Sequence, residues 1–381
     1  MIKLILLGLL AGAFFSSTFI LNELMSAAGG HWFWSASLRY LFMWLMITAI
    51  IVVQHGFGRI KALTKIFCTH WAFWCTTGTI GFGLFYTGIC YAADHVAGWV
   101  VAATFMFTVV ASLIVLLAFG QRFDKKFIIY ALIVFVGVAL VNVSEGLHAA
   151  EIAGVASASV SMTDMLLFGA LPALVAAFSY PIGNQLVWQA SFNARQHQAK
   201  KSQDPSHQAE SDDVQQLITE APLLSTISPD EVIHSHSGVD AVGTAQPQTK
   251  LQTLILRIPA IQTDLLQDAF NKVWLMTLGS LPFWLILGVF IHPELPDTSQ
   301  VFNTLLVALL AGVGATSIFL YAREKAETSS EVAGVDSTQA SEVIFALIGG
   351  MILLNSTMPS AMGLIGIALI IVGLILFAKD G

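Results

Sequence analysis

One carboxylate stands in a stretch that is otherwise apolar enough to cross a membrane. Residues 332–350 begin with polar side chains and continue as Val-Ile-Phe-Ala-Leu-Ile-Gly-Gly, and Glu342 lies about ten residues, or roughly 15 Å of helix, beyond the start. Since the hydrocarbon core of a bilayer is about 30 Å thick, this places the carboxyl group near its middle. Such a group, removed from water, can hold and exchange a proton for ion coupling, or it is a neutral side chain hydrogen-bonded to a neighbouring helix.

Three polar residues precede Glu342 and extend the polar surface along the same stretch. Thr338 and Gln339 stand four and three residues before it, and Asp336 is further back. Residues at helical spacing share part of one face. We therefore predict that Asp336, Thr338, Gln339 and Glu342 contribute to a site for substrate or coupling ion.

Arg39 and Tyr40 lie about five residues inside the second apolar stretch. A guanidinium at that depth must reach the membrane surface, pair with a carboxylate or face a wet cavity. Glu23 and Asp94 are expected near the same end of the bundle and are candidate partners. The pattern leaves open both a structural ion pair and direct recognition of substrate.

The composition excludes a water-soluble globular protein. Hydrophobic residues make up 56% of the 381 residues and charged residues 11%, and the mean hydropathy is +0.76. The chain has no basic patch for nucleic acid and no GxxxxGK[ST] phosphate loop, and Cys68, Cys75 and Cys90 lack metal-binding CxxC spacing. We expect a protein of the lipid bilayer that binds no nucleic acid, metal or cofactor and is not an enzyme; the oligomeric state is not indicated.

Apolar runs of about 20 residues predict ten transmembrane helices. They cover residues 4–25, 34–54, 71–92, 98–119, 127–143, 166–188, 273–291, 302–321, 332–354 and 362–378. Lys and Arg concentrate in alternate connections, which by the positive-inside rule places both termini in the cytoplasm. We expect a multi-pass protein of the cell (inner or plasma) membrane.

The two halves of the chain repeat. Val96-Ala97-Gly98 recurs as Val332-Ala333-Gly334, and the Ser-x-x-x-x-Asn element ending at Asn22 recurs ending at Asn184. Because each half has five helices, the copies must cross the membrane in opposite senses. The sequence thus predicts an all-α membrane protein whose ten transmembrane helices form two inverted five-helix repeats, as is typical of secondary transporters.

The repeat also divides the chain into segments. The predicted segments are a first five-helix repeat over residues 1–143, an extracytoplasmic linker over 144–163, the first helix of the second repeat over 164–192, a largely disordered cytoplasmic loop over 193–271, and the remaining four helices over 272–381. The loop is rich in Gln, Ser, Asp and His, a composition that buries little apolar surface.

Asn22, Asn184 and Tyr180 are candidate polar contacts in the first helices of the two halves. Tyr180 precedes Pro181, and proline frees a backbone carbonyl and kinks a helix where polar groups can line a cavity. Helix capping at the two amides and a purely structural kink at the proline are the alternative readings.

Several motifs resemble those of the drug/metabolite transporter superfamily. They are the Ser-x-x-x-x-Asn element in the first helix of each half, Leu-Arg-Tyr at Arg39 and Tyr40, and Ser-Thr-Gln-x-x-Glu-Val-Ile-Phe around Glu342. The last motif is similar to that of the family named "putative multidrug-resistance efflux transporter". The resemblance covers both membrane halves but not residues 193–271, and it implies efflux or exchange of a small organic solute by alternating access without ATP.

The sequence hypothesis is therefore a secondary active transporter that exports small organic solutes or drugs and is coupled to protons. Glu342 is the expected proton or cation site, Arg39 its outer electrostatic partner, and Asn22, Tyr180 and Asn184 polar contacts. A transporter or exchanger of amino acids or other metabolites fits the same fold. A membrane sensor would need an output domain, which the sequence does not contain.

Overall fold

The computed structural model describes residues 2–120, 124–153, 162–202, 255, 257–326 and 329–380, and within these ranges it contains helices and no strand. The α-helices are α1 (Ile2–Ala27), α2 (Trp32–His55), α3 (Phe57–Thr69), α4 (Trp71–Gly78), α5 (Phe85–Ala93), α6 (Gly98–Phe105), α7 (Thr108–Ala118), α8 (Lys125–Ala153), α9 (Met162–Met165), α10 (Leu171–Ser202), α11 (Ala269–Ile291), α12 (Thr298–Val307), α13 (Thr316–Glu324), α14 (Ser329–Ser337), α15 (Ser341–Leu353) and α16 (Ala361–Asp380).

Several of these helices join end to end through a different helical turn. π-Helical segments connect α4 to α5 (Thr79–Leu84), α9 to α10 (Leu166–Ala170) and α12 to α13 (Ala308–Ala315). A 3-10 turn, Thr338–Ala340, connects α14 to α15, and another, Asp264–Gln267, precedes α11. Turns of these kinds inside a helix often mark functional positions.

Eight helical stretches in the described part of the chain are long and apolar enough to cross a membrane. They are Ile2–Ala27, Trp32–His55, Gly98–Ala118, Lys125–Leu147, Met162–Arg195, Ala269–Ile291, Thr298–Arg323 and Ala361–Asp380. The prediction of an all-helical membrane protein is confirmed. The other two predicted spans, residues 71–92 and 332–354, are also helical, but glycines and threonines in one and carboxylates in the other make them more polar.

Two helices continue well past their predicted ends. The helix predicted over residues 127–143 extends to Ala153, and the helix predicted over 166–188 extends to Ser202. In both places the apolar run ends while helix-forming residues continue, so the length of a helix exceeds the length of its hydrophobic stretch. Most of the predicted 193–271 loop lies outside the described residues.

Acidic residues begin two helices of the second half. The Asp268 carboxylate accepts hydrogen bonds from the backbone N–H groups of Phe270 and Asn271 at the start of α11. Asp297 accepts one from Gln300 at the start of α12. These contacts satisfy backbone donors that the first helical turn leaves unpaired.

Long-range packing interlocks the two halves of the chain. Helix α1 packs against α15 and the Ala308–Ala315 segment, whereas α10 packs against α5, α7 and the Thr79–Leu84 segment. Helix α2 pairs with α11, and α8 pairs with α16. The stretch that comprises α6 and α7 is the most buried of the eight spans. Consequently the helices that carry the candidate site residues pack against one another across the two halves.

Close helix contacts depend on glycine at a few positions. A Cβ at Gly279 of α11 would overlap the carbonyl oxygen of Trp74 in α4 and lie 2.6 Å from its carbonyl carbon. Those atoms belong to helix backbone, so neither can move alone. Small residues of this kind allow membrane helices to approach closely.

We expect Gly279→Ala to lower the free energy of unfolding by about 2 kcal/mol, because the added methyl group overpacks the α4–α11 contact. Unfolding in mixed micelles of mild detergent and dodecyl sulfate measures the change. Gly58→Ala is the matched control, since a Cβ at Gly58 meets no atom within 4 Å. Equal stability of the two variants would contradict the packing argument.

Candidate functional site

Tyr86 of α5 connects two of the predicted site residues. The guanidinium carbon of Arg39 lies 4.0 Å from the centre of the Tyr86 ring, and Nδ2 of Asn22 donates a hydrogen bond of 3.2 Å to the Tyr86 hydroxyl. All three side chains are buried. The structure thus brings α1, α2 and α5 together around a cation, an amide and a phenol.

Glycines place Tyr86 and Tyr180 on facing helices. Gly81, in the Thr79–Leu84 segment, lies against Gly183 of α10, where a Cβ on Gly183 would overlap the Cα of Gly81. Gly88 similarly lies against the backbone of Pro172. This close approach explains why the third predicted span is rich in glycine.

Six aromatic side chains form what we call the aromatic wall. They are Tyr40, Phe82, Phe85, Phe105, Tyr180 and Trp284. Tyr40 stacks against Phe82 and Trp284, with ring centroids 5.1 and 5.9 Å apart. Phe85 contacts Tyr180 at 5.1 Å and Phe105 at 5.3 Å. A wall of this composition suits apolar or aromatic parts of a ligand.

Glu342 lies at the start of α15, directly after the 3-10 turn. The hydroxyls of Ser337, Thr338 and Ser341 each donate to the carbonyl three residues earlier, which accounts for the interruption of the helix. The Glu342 side chain is only 8% exposed and has no hydrogen bond or ion pair among the described residues.

Tyr180 lies close to both Glu342 and Arg39. Its hydroxyl lies in the electrostatic field of both charges and within hydrogen-bonding reach of Asn184. The helices that carry these residues are in mutual contact: α15 packs on α1, α1 on α2, α2 on α5 and α5 on α10. Glu342, Tyr180, Asn184, Arg39, Tyr40 and Asn22 therefore lie in one region of the fold.

Two other polar residues of the ninth predicted span have neighbours elsewhere. Asp336 pairs with Arg323, with its Oδ1 2.9 Å from Nε, and both side chains are buried. Thr338 faces α1, where a Cβ at Gly8 would overlap its hydroxyl oxygen. Gln339 is half-buried in the 3-10 turn and makes contacts of its own. Helical spacing therefore does not by itself assign Asp336 and Thr338 to the group around Glu342.

The carboxylates proposed to pair with Arg39 lie elsewhere. Glu23 accepts a hydrogen bond of 2.7 Å from the backbone N–H of Gly98, at the start of α6, and one of 3.4 Å from Ser356. Asp94 lies in the turn after α5, where burial raises the pKa of its carboxyl group and a hydrogen bond with Ser26 opposes that rise. Neither candidate partner forms an ion pair with Arg39 in the described part of the chain, where the guanidinium lies against the rings of Tyr40 and Tyr86 instead.

Sequence reasoning missed Tyr86, the residue at the centre of the arrangement. A tyrosine well inside a predicted span, rather than at its end, is the signal that could have identified it, since tyrosine normally anchors at the membrane surface. Trp284 was missed in the same way. Within the described residues, no three His, Cys, Asp or Glu side chains are grouped to hold a metal ion.

Several buried polar atoms of the site have no partner within the described chain. They include Nε of Arg39, Oδ1 of Asn22, Nε2 of Gln185 and the indole nitrogen of Trp284. Buried polar atoms are normally satisfied, so unpaired ones in one region point to bound water or a ligand. The arrangement can bind a polar organic molecule through an arginine, a carboxyl group and amides beside an aromatic wall.

Comparisons with known proteins agree with the motif resemblance. Residues 2–380 match the family described as "EmrE: Putative multidrug resistance efflux transporter". The protein named "Uncharacterized protein YjlA" of Bacillus subtilis (strain 168) is 29% identical over 98% of this chain and 94% of its own length. A Shouchella clausii protein named "Uncharacterized 42.1 kDa protein in intracellular alkaline protease 3'region" is 29% identical over 85% of this chain and 65% of its own length.

A solved structure is similar in fold. The crystal structure of one protein superposes with a TM-score of 0.52 over 98% of this chain and 96% of its own, at 13% identity, which shows a shared fold alone. The family match, in contrast, spans nearly the whole chain and agrees with the many membrane-length helices. The chain therefore belongs to the family described as "EmrE: Putative multidrug resistance efflux transporter" and is a multi-pass membrane protein of the efflux-transporter type.

Proposed function

We propose that this protein is a secondary active transporter that exports small organic solutes by alternating access, with protons as the coupling ion. The observation that carries the proposal is the buried carboxyl group of Glu342, which has no ion pair or hydrogen bond among the described residues and lies beside the interruption of a helix. Family membership supports efflux of a small molecule. A carboxyl group in that setting can take up a proton from one side and release it to the other.

We propose further that ten transmembrane helices form two inverted repeats. The packing contacts are symmetric in the sense that such repeats require. If α1 is exchanged with α10, α2 with α11 and α8 with α16, the contacts described above map onto other observed contacts, which supports the assignment. Matching irregularities support it as well. The third predicted span of each half contains a π-helical segment, and the fourth is interrupted near its middle.

The ends of the fourth helices provide a third correspondence. Gly120 follows α7 with φ of +88°, and Asn355 follows α15 with φ of +53°. Both are left-handed conformations that glycine and asparagine accept more readily than other residues. The alternation of basic connections supports a cytoplasmic position for both termini.

In the proposed cycle the two repeats rock around the central site. Glu342 exchanges the proton, Arg39 supplies a fixed positive charge, and Asn22, Tyr180 and Asn184 are polar contacts. Transporters built from inverted repeats expose such a site alternately to each side of the membrane. Because the Glu342 carboxyl group is the one that can change charge, proton release and solute binding would be linked there.

Transport by the purified protein in liposomes tests the proposal. With an imposed pH gradient, acid inside, we expect a solute from a panel of organic cations, anions and zwitterions to accumulate above the level of protein-free liposomes. A protonophore should abolish the accumulation. Uptake that is equal with and without the gradient would contradict proton coupling, and no uptake of any panel member would contradict the transport function.

A further inference from the structure

We propose that the substrate is an elongated zwitterion, with an anionic group at Arg39, a cationic group at Glu342 and an apolar or aromatic body between them. This inference rests on the proposed transport function, because it assigns the chemical class of solute to the same site. A substrate that carried only a positive charge would bind Glu342 and leave Arg39 without a counter-charge.

Arg39 carries the first part of the argument. A guanidinium stays protonated inside a protein, so it cannot escape the unfavourable burial by losing its charge. Its side chain is 8% exposed, its Nε has no partner, and it has no ion pair among the described residues. Tyr86 offsets part of the charge through its ring and its hydroxyl accepts a hydrogen bond from the guanidinium, but Nε of Arg39 is left without an acceptor. A carboxylate or a similar planar anion matches a guanidinium in geometry and charge.

Glu342 carries the second part. It is equally buried, and within the described residues it lacks a basic partner. The nearby phenol of Tyr180 is neutral and cannot balance a carboxylate. An ammonium group on the solute would balance the ionised form of Glu342, and a proton would balance it after the solute leaves.

The separation of the two charges gives the solute its shape. Arg39 and Glu342 are on different helices and do not pair with one another in the structure. Tyr180 lies within the field of both, and its ring contacts Phe85 and Phe105 of the aromatic wall. Because Arg39 and Glu342 do not approach within ion-pair distance of one another, we expect a solute that reaches both to hold its own charges apart, with an apolar body against these rings.

Four matched probes test this inference by equilibrium binding to the detergent-purified protein. They are para-(aminoethyl)benzoate, with charges at opposite ends of a ring; phenylethylamine, with the cation alone; para-ethylbenzoate, with the anion alone; and phenylalanine, with both charges at one end. We expect para-(aminoethyl)benzoate to bind about tenfold more tightly than each of the others. Arg39→Gln should remove its advantage over phenylethylamine, and Arg39→Lys should retain part of it.

Arg59→Gln is the control, because Arg59 lies in α3, away from the site, and this variant should bind like the wild type. Wild-type binding of phenylethylamine at least as tight as that of para-(aminoethyl)benzoate would overturn the inference, as would absence of binding by all four probes. Neither result depends on the folding of a variant. Both leave proton-driven transport of the wider panel as a separate measurement, so failure of the inference and failure of the transport function can be told apart.

Discussion

Replacement of Glu342 by glutamine is expected to lower proton-driven solute uptake roughly a hundredfold, to the level of protein-free liposomes. Glutamine keeps the size and polarity of the side chain but cannot exchange a proton. The Glu342 carboxyl group is buried at the start of α15 and has no hydrogen bond or ion pair within the described chain, so glutamine should not break a structural contact. Liposomes with an acid interior and a solute that the wild type accumulates provide the measurement.

Two controls separate coupling from folding. Glu342→Asp keeps an ionisable group and should retain measurable gradient-driven uptake. The glutamine variant should unfold in mixed micelles at the same dodecyl sulfate fraction as the wild type, which would show that the loss of uptake is not a loss of folded protein. Gradient-driven uptake by Glu342→Gln equal to that of the wild type would show that the coupling proton is carried elsewhere.

The fold was largely predictable because a bilayer imposes a simple rule on the sequence. An apolar run of about 20 residues must form a helix, since every backbone polar group has to be satisfied internally. That rule predicted the eight long apolar helices. It did not predict the end of α8 at Ala153, because helix formation continues beyond the hydrocarbon layer where composition no longer marks it.

The site was predictable only in part, because its contacts join residues that are distant in the sequence. Glu342 and Arg39 were identified from the unfavourable burial of charge, which a single sequence reveals. Their neighbours depend on packing: Asn22 donates to Tyr86 across 64 positions, and two glycines on facing helices set the distance between α5 and α10. Spacing within one helix carries no information on such contacts.

Asp336 illustrates a different failure. Its helical spacing favoured a polar surface shared with Gln339 and Glu342, but Asp336 pairs with Arg323 of α13. Glu342 has no such partner among the described residues. Which carboxyl group meets a basic side chain is decided by the packing of α13 on α14, and sequence periodicity does not show that contact.

That ion pair leads to the second large expected effect. Asp336→Ala should lower the free energy of unfolding by about 4 kcal/mol, because it removes the carboxylate that lies 2.9 Å from the buried guanidinium of Arg323. The residues around the pair, including Phe319, Ala322 and Val335, are fully buried, so water does not readily replace the lost partner. Unfolding in mixed micelles with dodecyl sulfate measures the loss.

The combination of Asp336→Leu with Arg323→Met should restore most of the stability, since it removes the buried positive charge together with its carboxylate. The more exposed pair between Lys126 and Asp380, with atoms 3.9 Å apart, is the matched control. Lys126→Ala should change the free energy of unfolding by less than about 1 kcal/mol. If Asp336→Ala were as mild as Lys126→Ala, the contact between α13 and α14 would owe little to its ion pair, and the apolar residues that surround it would be sufficient to hold these helices together.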